Sequence, residues 1–188
     1  MTKLVLLDRD GVINVEMKDY VKSPKELVIL PQALKALALF KEEGWTPVIV
    51  TNQSVVGHGI ITQSKLDEIH RVLKETVEKS KGWIAEIIVC TDRPYNTSNT
   101  PYKLTDRRKP GAGMLLEALS KYKTAPEETP FVGDALTDME AAFKANCPRY
   151  LVMTGKGSES MQKLLPAMEP ITICADIFDA AKKIVREW

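Results

Sequence analysis

Cysteine is scarce in this chain. Cys90, Cys147 and Cys174 are odd in number and far apart, which argues against a disulfide framework and supplies no Cys-x-x-Cys pair for metal or redox work. They are expected to be reduced thiols in or near the core. Long apolar runs are also missing. The hydrophobic stretches are strand-sized, and the N-terminus enters one almost at once without a charged-then-apolar leader, so the reading is a cytoplasmic protein with no membrane partner. Neither charge sign dominates: 26 basic residues face 25 acidic ones, leaving no broad electrostatic case for nucleic acid. A small-molecule partner is favoured. No linker, internal repeat or low-complexity tract interrupts the 188 residues, a length that suits one domain over 1–188, acting as a monomer, with a sizeable core.

What the chain does have is alternation of strand and helix patterns. Lys3 to Leu7 reads as a strand. Gln32 to Glu43 repeats apolar residues at Leu34, Leu37, Ala38 and Phe40 and stops at Gly44, as an amphipathic helix does. Thr46 to Val50 is a buried strand. Thr62 or Ser64 caps a helix whose Leu66, Ile69, Leu73 and Val77 share a face, with Gly82 at its end. Glu86 to Cys90 is a strand, and Pro110-Gly111 introduces a helix carrying Leu115, Leu116 and Leu119. Phe131-Val132, Tyr150 to Met153 and Ile171 to Cys174 are further strands, separated by a helix near Thr137 to Ala145 and followed by one from Ile177 to Trp188. This rhythm predicts an α/β fold, a Rossmann-like three-layer α/β/α sandwich with a mostly parallel sheet and no large cap domain.

Parallel sheets of this kind bind ligands beyond the carboxyl ends of their strands. At those ends stand Asp8 and Asp10 in Leu7-Asp8-Arg9-Asp10-Gly11-Val12, then Thr51-Asn52-Gln53-Ser54, then Gly133-Asp134 with Asp138 one turn on. Arg107, Arg108 and Lys109 precede a helix start. Two carboxylates two apart can divide their labour, one attacking phosphorus and the other exchanging a proton with the leaving and attacking oxygens. Facing a phosphate dianion, they need a divalent cation such as Mg²⁺ to remove the repulsion. Together with a hydroxyl, an amide, a lysine and a third acid, they form a coherent set for phosphoryl transfer.

The stretches "LLDRDGVIN", "VIVTNQS", "RRKPGAGM" and "FVGDALTDME" resemble, in order, the four motifs of the haloacid dehalogenase superfamily of aspartate-nucleophile phosphatases. More narrowly, the chain is similar to the heptose bisphosphate phosphatases, relatives of the histidinol-phosphate phosphatases. The resemblance implies a Mg²⁺-dependent phosphomonoesterase with a phospho-aspartyl intermediate, acting on D-glycero-D-manno-heptose 1,7-bisphosphate, with histidinol phosphate or another small phosphate ester as the alternative. A non-catalytic binder of phosphate ligands is the reading from another class. The resemblance makes Asp8 the nucleophile and a metal ligand, and Asp10 the general acid and base with its main-chain carbonyl on the metal. Thr51 becomes a donor to phosphoryl oxygens, Lys109 their neutralising charge, Asp134 the remaining metal carboxylate, and Arg108 the substrate-recognising arginine. Asn52, Gln53 and Ser54 are assigned to substrate binding.

Several positions carry two readings. Asn52 contacts substrate or braces its loop; Asp138 caps the following helix or orients Lys109; Arg107 serves the site or is a solvated charge. His58, between Gly57 and Gly59, reads as a surface or substrate-edge residue, and His70 as structural. The segments Val15 to Ser23 and Val55 to Ile61 read as mobile connections above an open site. One departure from the heptose branch stands out. Many members carry a zinc loop with Cys-x-His and Cys-x-Cys ligands, whereas here the text is Cys90-Thr91-Asp92-Arg93-Pro94 and Thr105-Asp106-Arg107-Arg108-Lys109. One thiolate does not make a closed tetrahedral site, so structural zinc is expected to be absent, with Pro94, Pro101, Tyr95 and Tyr102 holding the loop instead.

Overall fold

A computed structural model describes residues 2–94 and 106–188. The expectations placed on Tyr95, Pro101, Tyr102 and Thr105 lie outside the described residues. Six strands, β1 (Lys3–Leu7), β2 (Trp45–Asn52), β3 (Glu86–Cys90), β4 (Phe131–Gly133), β5 (Arg149–Val152) and β6 (Ile171–Cys174), form one sheet. Its order is β3-β2-β1-β4-β5-β6, and every pairing is parallel. The order reverses between β1 and β4, the point at which a crevice opens beyond the strand ends.

The seven α-helices are α1 (Pro31–Glu42), α2 (Ser54–Gly57), α3 (Gln63–Lys79), α4 (Gly113–Tyr122), α5 (Leu136–Lys144), α6 (Gly157–Met161) and α7 (Ile177–Glu187), counted among the described residues. The strand period of two sorts β1 onto both layers. Val5 and Leu7 join Ala33, Leu37 and Phe40 of α1, Leu73 and Val77 of α3, and Ile184 of α7. Leu4 and Leu6 join Met114, Leu115 and Leu119 of α4 and Ala141 of α5. All four β1 residues are fully buried, and side chains of this size stabilise by ~1.5–3 kcal/mol each when removed from water. β1 is therefore a rigid platform for Asp8 at its carboxyl end. Among the described residues no large cap is inserted, and no helix is long and apolar enough to cross a membrane.

The observed elements match the expected alternation, with differences that have local causes. α1 buries Ala33, Ala36, Leu37 and Phe40, while Leu34 and Ala38 are only half-buried. The contact face is thus rotated: α1 packs closely on α7, and its small alanines permit that approach. Leu116 of α4 is exposed, unlike Leu115 and Leu119. β2 extends past Thr46 to Val50 at both ends, because Trp45 and Thr51 are also buried in the layer. The helices α2 and α6 are too short to show a period, and α2 replaces part of the connection expected over Val55 to Ile61. Val55 is fully buried there. Thr62 is the cap of α3, its side chain accepting from the Lys65 N–H.

Candidate active site

Asp8 leaves β1 at its carboxyl end, and Asp134 leaves β4 beside it. Both flank the crevice. Lys109 comes from the segment before α4, and its Nζ lies 2.8 Å from Asp8 Oδ1 and 2.6 Å from Asp138 Oδ1 of α5. All four side chains are buried. Burial pulls Lys109 down, but the charges of Asp138 and then Asp8 outweigh it and hold the ammonium above its ordinary range. Burial pushes Asp8 up to about 7 despite Lys109, with Asp138 and Asp10 adding like-charge repulsion. Asp134 is pushed up to about 8 by burial and by the charges of Asp138 and Asp8, against the opposing bond from the Lys156 N–H. Three buried carboxylates lie close together here, and the one ammonium among them pairs with two, Asp8 and Asp138.

Among the described residues, Asp8, Asp134 and Asp138 form the one group of three potential ligands whose oxygens lie within 4.8 Å of one another. Hard carboxylate oxygens with uncompensated charge suit a Mg²⁺ ion, so the donor set fits the metal expected from the sequence. Asp138 differs from the other two because Lys109 takes one of its oxygens. Its other oxygen accepts from the N–H groups of Asp134 at 3.2 Å and Ala135 at 3.0 Å. Asp138 thus both caps the start of α5 and orients Lys109, and its two readings are both realised. Asp134 is held by the Lys156 N–H at 2.7 Å. Room for it comes from glycines: a Cβ on Gly11 (φ +78°) or Gly155 (φ +57°) would lie 2.1 or 2.0 Å from Asp134 Oδ2.

Asp10 points into a set of donors. Arg9 Nη2 donates to its two oxygens at 2.9 and 3.0 Å, Asn14 Nδ2 to Oδ1 at 2.9 Å, and Gln53 Nε2 to Oδ2 at 2.7 Å. Burial pushes this carboxyl up, but the Arg9 charge and these bonds outweigh it and hold it below the usual carboxylate range. Arg9 is itself buried, and its Nη1 lies 3.1 Å from His70 Nε2. Neither Arg9 nor Asn14 was among the residues expected at the site, although both lie inside the "DRDGVIN" stretch that marked it. Their signal was position alone.

The residues at the end of β2 and just beyond it are engaged with the protein itself. Asn52 Nδ2 donates to the Lys109 carbonyl at 3.0 Å, and its Oδ1 accepts from the Lys109 N–H at 3.1 Å. It braces the lysine segment. Thr51 Oγ1 accepts from Gln53 Nε2 at 2.9 Å, so its own proton is available to another acceptor. Ser54 Oγ donates to the Tyr20 hydroxyl at 3.5 Å. Arg108 Nη1 donates to the Asp92 carbonyl at 2.7 Å, and burial lowers its guanidinium from the ordinary value. Arg107 pairs with Glu117 at 2.8 Å on the exposed side, the solvated-charge reading.

One pocket of about 540 Å³ is lined by Asp8, Arg9, Asp10, Thr51, Asn52, Gln53, Ser54, Arg108, Lys109, Asp134 and Asp138, while Asn14, His70 and Arg107 lie outside its lining. Its rim includes Glu16, Met17, Lys18 and Tyr20 from the first connection, Pro94, and Lys156, Glu159 and Lys163 around α6. An ion pair between Lys156 and Glu16 joins the two sides of the rim. His58 does not line the pocket and sits against the Tyr20 ring. Cys90 is buried at the end of β3, where burial raises its thiol.

The HAD-hydrolase-like family matches residues 106–180. The chain is 34% identical over 186 residues to a D-glycero-beta-D-manno-heptose-1,7-bisphosphate 7-phosphatase of Bordetella bronchiseptica, covering 98% of this chain and 99% of that one. It is 36% identical over 163 residues to the enzyme of that name from Pseudomonas aeruginosa, covering 87% and 88%. A crystal structure of the D,D-heptose 1,7-bisphosphate phosphatase from B. bronchiseptica, complexed with magnesium and phosphate, superposes with a TM-score of 0.91 at 33% identity over the whole of both chains. The fold, the carboxylate pocket at its switch point and relatives matched end to end lead to one assignment: this chain belongs to the haloacid dehalogenase superfamily of phosphatases, in the branch of the heptose bisphosphate phosphatases.

Proposed function

We propose that the protein is a Mg²⁺-dependent phosphomonoesterase that works through a phospho-aspartyl intermediate, with D-glycero-D-manno-heptose 1,7-bisphosphate as its substrate. The observation that carries this reading is the buried Asp8–Lys109–Asp138 ion network beside Asp134 at one pocket. Asp8, Asp134 and the main-chain carbonyl of Asp10 would hold the metal. When bound, Mg²⁺ supplies positive charge that lets an anionic nucleophile approach an anionic phosphate. The similar proteins named above, all heptose bisphosphate phosphatases, support that substrate over histidinol phosphate.

Lys109 engages Asp8 Oδ1, which leaves Oδ2 to form the new bond to phosphorus as the ester P–O bond breaks. The Thr51 hydroxyl donates to the phosphoryl oxygens, and Lys109 neutralises charge that moves onto them. Asp10 gives a proton to the leaving sugar alkoxide. Its donors favour the ionised form, so it takes up that proton as the dianionic phosphate arrives and raises its affinity for one. Asp10 then removes a proton from water, which attacks phosphorus and breaks the bond to Asp8, releasing inorganic phosphate. Arg108, with its planar donor fork, binds the part of the substrate that is not transferred, and Gln53 and Ser54 shape the floor beneath it.

The test is turnover of heptose 1,7-bisphosphate, histidinol phosphate and simple sugar phosphates with and without added Mg²⁺, on the unaltered protein and on Asp8→Asn. The amide is nearly isosteric with the carboxylate, so the variant should remain folded and lose activity by roughly 10³-fold or more. Near-normal turnover by folded Asp8→Asn would overturn the mechanism, and a stronger preference for histidinol phosphate would overturn the substrate.

A further inference from the structure

Arg9 is a buried charge that enters the chemistry above only through its pairing with Asp10. Its guanidinium is only 1% exposed, and its Nε has no hydrogen-bond partner among the described residues. A buried arginine has five donors and no acceptor, so its orientation rests on the acceptors it does find. Two groups supply them: the Asp10 carboxylate, reached by Nη2, and His70 Nε2, reached by Nη1 at 3.1 Å. Arginine can only donate in that second contact, so Nε2 of His70 carries the lone pair and its ring proton sits on Nδ1. Burial and then the Arg9 charge push His70 down to about 4, which keeps it an acceptor at neutral pH.

His70 lies on α3, 61 positions from Arg9 in sequence, and lines a separate shallow groove with Asp67, Arg71 and Lys74 rather than the substrate pocket. It cannot act on the substrate directly. We infer that His70 is a positioning residue for the acid–base carboxylate: by accepting from Arg9 Nη1 it fixes the guanidinium plane whose other nitrogen grips both oxygens of Asp10. Without that acceptor, Arg9 keeps only the Nη2 contact and turns about it. The Asp10 carboxylate then loses one of the three side chains that set its plane, the others being Asn14 and Gln53. This inference rests on Asp10 being the general acid and base.

A residue that merely fills space would affect every substrate alike. A residue that aims the acid affects the substrates that need the acid. A sugar alkoxide is a poor leaving group and an aryl phenolate a good one, so loss of proton donation is felt far more by the first. The experiment measures release of the leaving group in a single turnover from heptose 1,7-bisphosphate and from 4-nitrophenyl phosphate, with KM from steady state. The proteins are the unaltered chain, His70→Leu, His70→Gln and Asp10→Asn.

His70→Leu, which removes the acceptor, should slow sugar release about tenfold while leaving aryl release and both KM values within about twofold. His70→Gln, whose amide oxygen can reach the place of Nε2, should restore sugar release to within about threefold. If His70→Leu fails to fold, His70→Asn serves in its place, since its shorter amide falls back from Arg9. Equal slowing of both substrates, or a folded glutamine variant that does not recover, overturns the inference. Asp10→Asn tells the two possible failures apart. If it slows sugar and aryl release equally, the acid–base reading of Asp10 falls and the inference with it; if Asp10→Asn discriminates and the His70 variants do not, only the inference falls.

Discussion

Arg108 and Lys109 are neighbours in the chain, yet the fold sends them to different partners. Lys109 is buried between Asp8 and Asp138, whereas Arg108 is half-buried and donates to the Asp92 carbonyl at the pocket wall. Removing the lysine leaves two buried carboxylates without a counter-charge, which costs ~3–5 kcal/mol of stability, and removes the charge that meets the transferring phosphoryl group. Lys109→Ala should therefore lower the melting temperature and depress turnover on every phosphate ester by about 10²–10³-fold. Arg108→Ala should leave the melting temperature almost unchanged, weaken use of the heptose bisphosphate about tenfold, and spare an aryl phosphate. Comparing both variants on both substrates checks this. Equal loss on the two substrates for Arg108→Ala would move that residue into the catalytic machinery. The sequence placed both side chains at the site but left Asp138 between two roles, because a carboxylate has two oxygens and only the fold shows where each one goes.

Among the elements, strands and α5 present the carboxylates, and glycines in the adjoining loops leave the room that Asp134 occupies. Gly155 comes after β5 with φ +57°, and a Cβ there would come within 2.0 Å of Asp134 Oδ2 and 2.7 Å of Gly11 Cα. Gly59 has a similar backbone angle, φ +70°, with nothing within 4 Å of the position of a Cβ. Alanine at either site meets the left-handed penalty of ~1–2 kcal/mol, but only at Gly155 must a carboxylate also move. Gly155→Ala should lose more stability than Gly59→Ala and should raise the Mg²⁺ concentration needed for half-maximal activity, which Gly59→Ala should not. Thermal melts and Mg²⁺ titrations of the two variants decide the point, and an unchanged Mg²⁺ requirement in folded Gly155→Ala would show that Asp134 tolerates the shift. The long elements were legible from their periods and caps, such as Thr62 before α3. The short α2 and α6 were not, since four or five residues hold too little of a 3.6-residue repeat to be distinguished from a turn.

For the molecule as a whole, the group of Asp8, Asp134 and Asp138 found among the described residues has one buried ammonium paired with two of its members, and a divalent cation is the natural complement. If Asp8 and Asp134 hold Mg²⁺ only in the folded state, the metal stabilises by mass action, ~2.7 kcal/mol at a hundred times its dissociation constant. Mg²⁺ should raise the melting temperature of the unaltered protein, and Asp134→Asn should abolish most of that rise. Elemental analysis of the purified protein should find no stoichiometric zinc, because Cys90 stands without the Cys and His companions of the zinc loop. A melting temperature indifferent to Mg²⁺, or one zinc held per chain, would overturn the respective expectation.

The alternation of elements, the carboxylates after β1 and β4, and the lysine before α4 were determined by the sequence alone. The reason is local: strand and helix periods, caps, and a motif of adjacent residues all lie within a few positions of one another. Tertiary structure alone decided which distant groups touch. Asn52 braces Lys109 across 57 positions and His70 meets Arg9 across 61, distances along the chain at which no periodicity or spacing carries information. His70 sits beside Ile69 at the edge of the buried face of α3, so its sequence context reads as packing. Only the closing of the helical layer over the sheet brings its ring nitrogen to the guanidinium, and through it to Asp10.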